Sequence, residues 1–367
     1  MQKLLAVIAD GLAVRNEVAV VAPAAPGDRE FDAHLSYAVH RYRCGKSRIG
    51  RLLNLTRAAA SLVPLNDVLF CGHVAAALPA WLLGSVYQKP YFVYVHALEI
   101  TPRKYRGLFS FLLHRAAGIV TGSRYAKDLV VSYFGIPASG VDLVRPGVAP
   151  ELVRAADNAR EAREIKKPGD RVLLSVGRLA GDERYKGHDV VIQALPAILR
   201  RIPRCYYWIV GSGDDVERLK EVAREVGVSD HVKFWGRVAD VAPFYRECDV
   251  FVMVSRLVFE DGMEKTEGFG LVFLEASLFG KPVVAGRCGG ALDAVADGQT
   301  GVLVEPESAA EVAAAIVALL TCPVEAKRLG AAGRGRVLQE FTAPKQVAKF
   351  EAAVASRIGE ARRQRDG

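Results

Sequence analysis

The residues best suited to chemistry lie between Glu267 and Glu275, where seven positions separate two carboxylates across a glycine-rich turn. Gly268 and Gly270 permit a tight turn and close backbone approach, and the apolar run from Leu271 reads as the start of a buried helix. Backbone N–H groups near Phe269, Gly270 and Leu271 would then face an anion, with Glu267 in the entering loop and Glu275 about one turn inside the helix. Two carboxylates at this spacing also describe an ordinary surface helix. Upstream, Arg178 follows a strand-like Leu174–Val176 and a glycine, and Lys186 precedes Gly187 and His188. Two fixed cations beside helix-start amides are what a leaving group that gathers negative charge needs. As a bare pair they could equally be solvated surface side chains.

Taken together, these segments resemble the E-x7-E motif and its companions in the retaining glycosyltransferases of family 4, strongly from Arg171 to Pro306 and more loosely over nearly the whole chain. The resemblance implies the GT-B fold: α/β, two facing Rossmann-like domains with a central cleft. It places Glu267 beside the donor sugar's hydroxyls near the reaction centre, Glu275 on the ribose, and Arg178 and Lys186 on the donor diphosphate. Gly211, in Trp208–Gly213, matches the next strand end, and the backbone around Arg237 and Val238 would meet the nucleotide base. Glycine-rich strand ends occur in any Rossmann-like domain, so Gly211 and Gly213 also read as simple turn residues. Ser255 matches the family's Pro-Ser strand end, with Val254 where proline is usual. His96, closing the run Val93–Val95, is similar to the family's strand-end histidine facing the donor sugar, although such a histidine is often only packed or capping. Retention by front-face attack, assisted by the leaving phosphate, requires no enzyme nucleophile. No Asp-x-Asp motif is present, and the resemblance implies neither a metal nor a cofactor, only a nucleotide-diphosphate sugar as co-substrate.

The elements that must position these residues follow from hydrophobic patterning. Short β-branched runs alternate with longer helical stretches, as in parallel sheets built from βαβ units. Strands are expected near 18–22, 67–71, 91–95, 118–121 and 141–144 in the first half. The second half repeats the scheme near 171–176, 206–210, 232–234, 250–254, 282–285 and 301–304. Each half is then one doubly wound sheet, with ligands outside the C-terminal strand ends. The expected domains are 1–165, on the acceptor side, and 166–342, on the donor side, joined by a charged linker within 151–170. A helix over 343–367, with Val347, Phe350, Ala353 and Val354 on one stripe, would pack back on the first domain and fray from Glu360.

At 367 residues, with 51% hydrophobic and 25% charged residues, the chain suits two globular domains. No window offers the roughly 18 uninterrupted apolar residues of a membrane span. The opening segment reads as helix then strand rather than as a signal peptide. Six scattered cysteines without a C-x-x-C pair indicate neither zinc nor a disulfide framework, and fit a reducing cytoplasm. The net charge of +8 is N-terminal: residues 1–150 carry 17 Lys and Arg against 9 Asp and Glu, whereas 151–367 carry 32 of each. Much of that excess lies in Arg41–Arg51 and Arg103–Arg115. The second stretch joins its cations to Leu108, Phe109, Phe111 and Leu112, which suits either an interfacial helix on anionic lipid or an amphipathic domain helix with a solvated basic end. Nucleic acid is not expected, because the aromatics do not alternate with cations as a stacking platform would.

The family's first strand and Gly-rich loop have no counterpart before the first helix. The expectation is a start assigned too late or a truncated chain, unstable or weakly active from Met1. The expected activity is retaining hexosyl transfer from GDP-mannose or a UDP-sugar to a lipid-linked or polysaccharide acceptor in bacterial cell-envelope glycan synthesis, such as lipopolysaccharide. The expected location is cytoplasmic and peripheral to the inner membrane face. The alternatives are a catalytically inactive sugar-nucleotide-binding protein and a GT-B-fold epimerase or phosphorylase.

Overall fold

Strand and helix alternate as the patterning requires in the computed structural model, which describes residues 2–25, 27–45, 47–158, 165–260 and 262–366. The chain divides into two compact units, one running to Gly147 and resuming at Ala343, the other spanning Val148–Thr342.

The first unit contains α1 (Gln2–Ala13), β1 (Ala19–Pro23), α2 (Asp28–Asp32), β2 (Ala38–Tyr42), α3 (Arg48–Ala60), β3 (Leu69–Cys71), α4 (Ala77–Tyr87), β4 (Tyr91–Val95), α5 (Arg106–Arg115), β5 (Gly118–Thr121), α6 (Arg124–Phe134) and β6 (Val141–Leu143). β3, β4, β5 and β6 form a parallel sheet in that order, with Val93 opposite Cys71 and Phe92 opposite Gly118. Alternate residues feed opposite faces. Val93, Val95 and Ile119 join Ala80, Leu112 and Val130 in one core, while Tyr94 and Val120 join Leu4 and Ile8 of α1 in another.

A single doubly wound sheet is not what this unit holds. β1 and β2 pair in parallel as a separate two-stranded sheet, Ala19 opposite Ala38. Among the described residues no strand hydrogen-bonds to both β1 and β3, so the two sheets stay apart. β2 escapes the apolar patterning because it carries His40 and Arg41, and the Arg41 guanidinium is taken up by Asp32 at 2.6 Å.

The second unit contains α7 (Pro150–Asp157), β7 (Arg171–Val176), α8 (His188–Leu199), β8 (Cys205–Val210), α9 (Val216–Glu225), β9 (Val232–Gly236), α10 (Ala242–Glu247), β10 (Val250–Met253), β11 (Val258–Glu260), β12 (Met263–Lys265), α11 (Leu271–Leu278), β13 (Val283–Gly286), α12 (Ala291–Ala294), β14 (Gly301–Val304), α13 (Ala309–Thr321) and α14 (Pro323–Glu340). Its parallel sheet runs β14-β13-β10-β7-β8-β9. Leu173, Ile209 and Val252 point to one face and pack with α8 and α13, while Val172, Leu174, Trp208 and Phe251 point to the other, toward α10 and α11. An antiparallel hairpin, β11–β12, occupies the connection between β10 and α11 and was not expected.

Much of the expected linker is structured. Pro150 at the first helical turn starts α7, whose Leu152, Val153 and Ala156 pack on the second unit's core, so the unit boundary falls at 147/148, ahead of the 165 drawn from sequence. Residues 159–164 of that linker lie outside the described residues. α15 (Ala343–Asp366) returns to the first unit, where Phe350 is buried with Ala353 and Val354 against α1 and β4, and Arg357 pairs with Asp142 at 3.0 Å. Its backbone stays helical through Asp366, past the expected fraying point, and Gly367 lies outside the described residues. No single helix among the described residues is long and apolar enough to cross a membrane.

Candidate functional site

In the second unit the polar residues gather where β7, β8 and β9 end. Pairing outlasts the strands: Gly177 N–H donates to Val210 O at 3.0 Å, and Leu179 N–H donates to Ser212 O at 3.0 Å. Gly211 must be glycine, since its φ is +146° and a Cβ there would stand 1.7 Å from Gly177 O. Its N–H donates to Gly236 O at 2.8 Å, which brings the end of β9 alongside; Arg237 beyond it is exposed and Val238 half-buried on the core.

A short 3-10 turn over Gly181–Lys186 then folds back to this point. Lys186 Nζ donates to Glu183 Oε2 at 2.5 Å and to Arg178 O at 3.4 Å, and the other Glu183 carboxylate oxygen pairs with the Arg178 guanidinium. The two cations differ in access: the Arg178 side chain is 79% exposed and that of Lys186 10%. Behind them His188 is buried, with Nδ1 3.0 Å from the Tyr207 hydroxyl, which in turn lies 2.7 Å from Ser175 Oγ. Burial drives the imidazole pKa down to about 3, so His188 adds no positive charge beside Lys186 at neutral pH.

Glu267 precedes α11 and reaches the same cluster. Gly270 caps the helix with φ +83°, and a Cβ there would lie 2.4 Å from the Phe273 ring. The amides of Gly270 and Phe269 interact with the carboxylate of Glu267 itself, rather than pointing only outward to a ligand as the sequence suggested. Burial raises this carboxyl above its ordinary value; Lys186 pulls it down, Glu183 pushes it up, and the two amides lower it. Leu271 opens the helix and Phe269 is buried.

Glu275, one turn on, accepts a hydrogen bond from the Tyr245 hydroxyl at 2.7 Å. Tyr245 is fully buried, stacked on Phe279 at 5.6 Å, and burial with the Glu275 charge holds its hydroxyl protonated. It therefore fixes the Glu275 carboxylate as a donor. Sequence reasoning missed both Tyr245 and Glu183. The E-x-x-K spacing of Glu183 and Lys186 was the only available signal.

In the first unit His96 ends β4, half-buried, its ring 4.7 Å from that of Tyr94 and its Nε2 2.8 Å from Gly72 O. That contact to a carbonyl makes Nε2 the protonated nitrogen. Burial lowers the imidazole pKa to about 4. The His96 N–H donates to Glu99 Oε1 at 3.1 Å, and burial pushes the Glu99 carboxyl up to about 8. Between them Ala97 adopts φ +88°, ψ −70°, a region that non-glycine residues rarely enter. Strain of this kind concentrates at functional sites. Nothing in the sequence signals it. The first basic stretch proves partly structural, with Arg41 committed to Asp32 and Arg48 bonded to the Tyr105 hydroxyl.

Comparison with known proteins bears on both units. Residues 157–336 match the family described as "Glycosyl transferases group 1", and residues 1–152 match "Glycosyltransferase Family 4". The GDP-mannose-dependent alpha-(1-6)-phosphatidylinositol monomannoside mannosyltransferase of Mycobacterium tuberculosis is 39% identical over 223 residues, 60% of this chain and 56% of that one. The D-inositol 3-phosphate glycosyltransferase of Segniliparus rotundus is 32% identical over 246 residues, 64% of this chain and 52% of the other. The match thus spans little more than half the length of these curated relatives. Among solved structures, a glycosyltransferase from Rickettsia africae superposes with a TM-score of 0.82 at 18% identity over 97% of this chain and 94% of its own. Anabaena HepE, crystallised with UDP and glucose, gives 0.79 at 20% over 97% and 95%. At such identities these likenesses establish the fold, GT-B, and no more. Each half of the chain matches its own half of one enzyme architecture, and the chain belongs to glycosyltransferase family 4.

Proposed function

We propose that the chain is a retaining, metal-independent hexosyltransferase that moves mannose from GDP-mannose to a lipid-linked acceptor of the cell envelope, working at the inner face of the cytoplasmic membrane. The observation that carries this reading is the cluster at the ends of β7 and β8, where Arg178 and Lys186 share the carboxylate of Glu183 beside Glu267. The choice of GDP-mannose and a phosphoinositide-type acceptor rests on the 39% identity to the mycobacterial mannosyltransferase.

In this reading the C1–oxygen bond to the diphosphate breaks, and its electron pair stays on the leaving phosphate. Arg178, Lys186 and the start of α11 stabilise that charge in place of a metal. The acceptor hydroxyl adds to C1 on the same face and its proton passes to the leaving phosphate oxygen. Glu267 holds the donor sugar and Glu275, oriented by Tyr245, the ribose. Backbone at Gly211, Arg237 and Val238 lies toward the base. Membrane association is supported by exposed Leu82 and Val86 on α4 and Leu108 and Phe111 on α5, with the Arg115 guanidinium 3.8 Å over the Phe111 ring.

The test is release of nucleoside diphosphate from GDP-mannose and a panel of UDP- and ADP-sugars, with and without a membrane lipid extract. Lipid-stimulated turnover of GDP-mannose is expected, falling about 10²–10³-fold in Glu267→Ala, the scale of losing a group that acts on the transition state. Donor binding without turnover would overturn the enzyme assignment in favour of a sugar-nucleotide binder, and turnover of a UDP-sugar alone would overturn the choice of donor.

A further inference from the structure

The cations assigned to the donor diphosphate already have an anion. Glu183 is 7% exposed and uses both carboxylate oxygens, one on Arg178 and one on Lys186 at 2.5 Å. Glu267 is close enough that Lys186 attracts it and Glu183 repels it. Two cations and two carboxylates therefore meet in one partly buried cluster, and both cations are already ion-paired with Glu183 before any ligand enters. A nucleoside diphosphate would bring a further two to three negative charges to the same cations, where low dielectric magnifies each repulsion.

The backbone around Glu183 cannot easily retreat. Arg184 is tied to Asp215 at 2.7 Å, and Tyr185 O accepts from Arg256 N–H at 2.7 Å. Only the side chain of Glu183 is left to move. The exposures of its two partners give the exchange an order: Arg178, largely in solvent, can turn to an incoming phosphate first, and Lys186, enclosed, is released last.

We infer that Glu183 is a resident counter-anion of the diphosphate site, holding Arg178 and Lys186 in place while the site is empty and competing with the diphosphate for them when it is occupied. This rests on the assignment of those cations to the diphosphate made above. The competition weakens binding of donor and product alike, and so favours departure of the nucleoside diphosphate after transfer. Glu183 is a positioning residue that tunes affinity and touches no reacting atom.

The experiment measures dissociation constants of GDP, UDP and inorganic pyrophosphate, with guanosine and uridine as phosphate-free controls, on the full chain and its variants. Glu183→Gln is expected to tighten diphosphate binding about tenfold, to lower the inhibition constant of the product by the same factor, and to leave the nucleosides unchanged. Asp182→Asn removes an equal charge from an exposed position on the same turn and is expected to change binding less than twofold. Equal tightening by both variants would reduce the effect to net charge and overturn the inference. Should Glu183→Gln fail to fold, Glu183→Asp, one methylene too short to reach both cations, is expected to tighten binding about threefold. Unchanged or weaker diphosphate binding in a folded Glu183 variant, with Lys186→Gln still losing it, would overturn the counter-anion role alone. Undiminished binding in Lys186→Gln would overturn the site assignment beneath it.

Discussion

The ends of two central strands, β4 in the first unit and β7 in the second, handle polar groups in opposite ways. Beyond β7 the charged groups are paired: Arg178 and Lys186 with Glu183, while the Glu267 carboxyl, raised by burial, is drawn back down by Lys186 and two amides. Beyond β4 burial outweighs the nearby charge and makes the titratable groups neutral instead, His96 with a pKa near 4 and Glu99 near 8. Near pH 6 His96 and Glu99 are both neutral, whereas Arg178 and Lys186 are ion-paired with Glu183. Burial is tolerated either by pairing or by giving up the charge. The proposed assignment of a diphosphate to the end of β7 calls for the first solution.

The contrast extends to the backbone. At the β7–β8 end the tight approach is made by glycine at 211, whereas at the β4 end it falls to Ala97 at φ +88°. Ala97→Val puts a β-branched residue into that conformation inside a fully buried site, and the expected cost is about 3 kcal/mol of stability, read by urea unfolding. A cost below about 1 kcal/mol would mean that the turn relaxes freely and that the two strand ends differ less than described.

The neutral pair also predicts a pH signature for the first unit. Glu99 has its folded pKa raised, so it loses stability as pH climbs from its ordinary value toward about 8. His96 has its folded pKa lowered, so it loses stability as pH falls from its ordinary value toward about 4. The two slopes oppose each other between about pH 4.5 and 6.5. Above that, Glu99 alone remains and stability should fall by up to about 1.4 kcal/mol per pH unit until pH 8. Unfolding curves from pH 5 to 8 check this, and Glu99→Gln should flatten the upper limb. A flat wild-type limb would remove the contrast between the two strand ends.

The smallest effect is expected at Tyr245→Phe. Losing the hydrogen bond to Glu275 should cost about 1 kcal/mol and raise the donor KM several-fold with kcat little changed. A fall in kcat with KM unchanged would place Glu275 in the transition state rather than on the ribose.

Legibility in the sequence followed composition closely. β4, β5, β7 and β14 match the expected ranges residue for residue, because each is a short, largely apolar and β-branched or aromatic run. β2 and the β11–β12 hairpin were missed because His40, Arg41, Glu260, Glu264 and Lys265 break that pattern in strands buried on at most one face. Arg178, Lys186, Glu267 and Glu275 were legible through fixed local spacing. Tyr245 was not, since it meets Glu275 from thirty residues away in sequence. The role of Glu183 depends on a 3-10 turn that carries its carboxylate inward, and the strain at Ala97 is a backbone angle that residue type does not encode.

The path of α15 has a consequence for synthesis. The second unit is one uninterrupted stretch of chain, inserted into the first between Gly147 and Ala343. A ribosome delivers it whole while Leu4, Ile8, Tyr94 and Val120 still await Phe350. The first unit therefore stays incomplete until the second has been made, and its nascent apolar surface must be kept from aggregating until α15 has emerged.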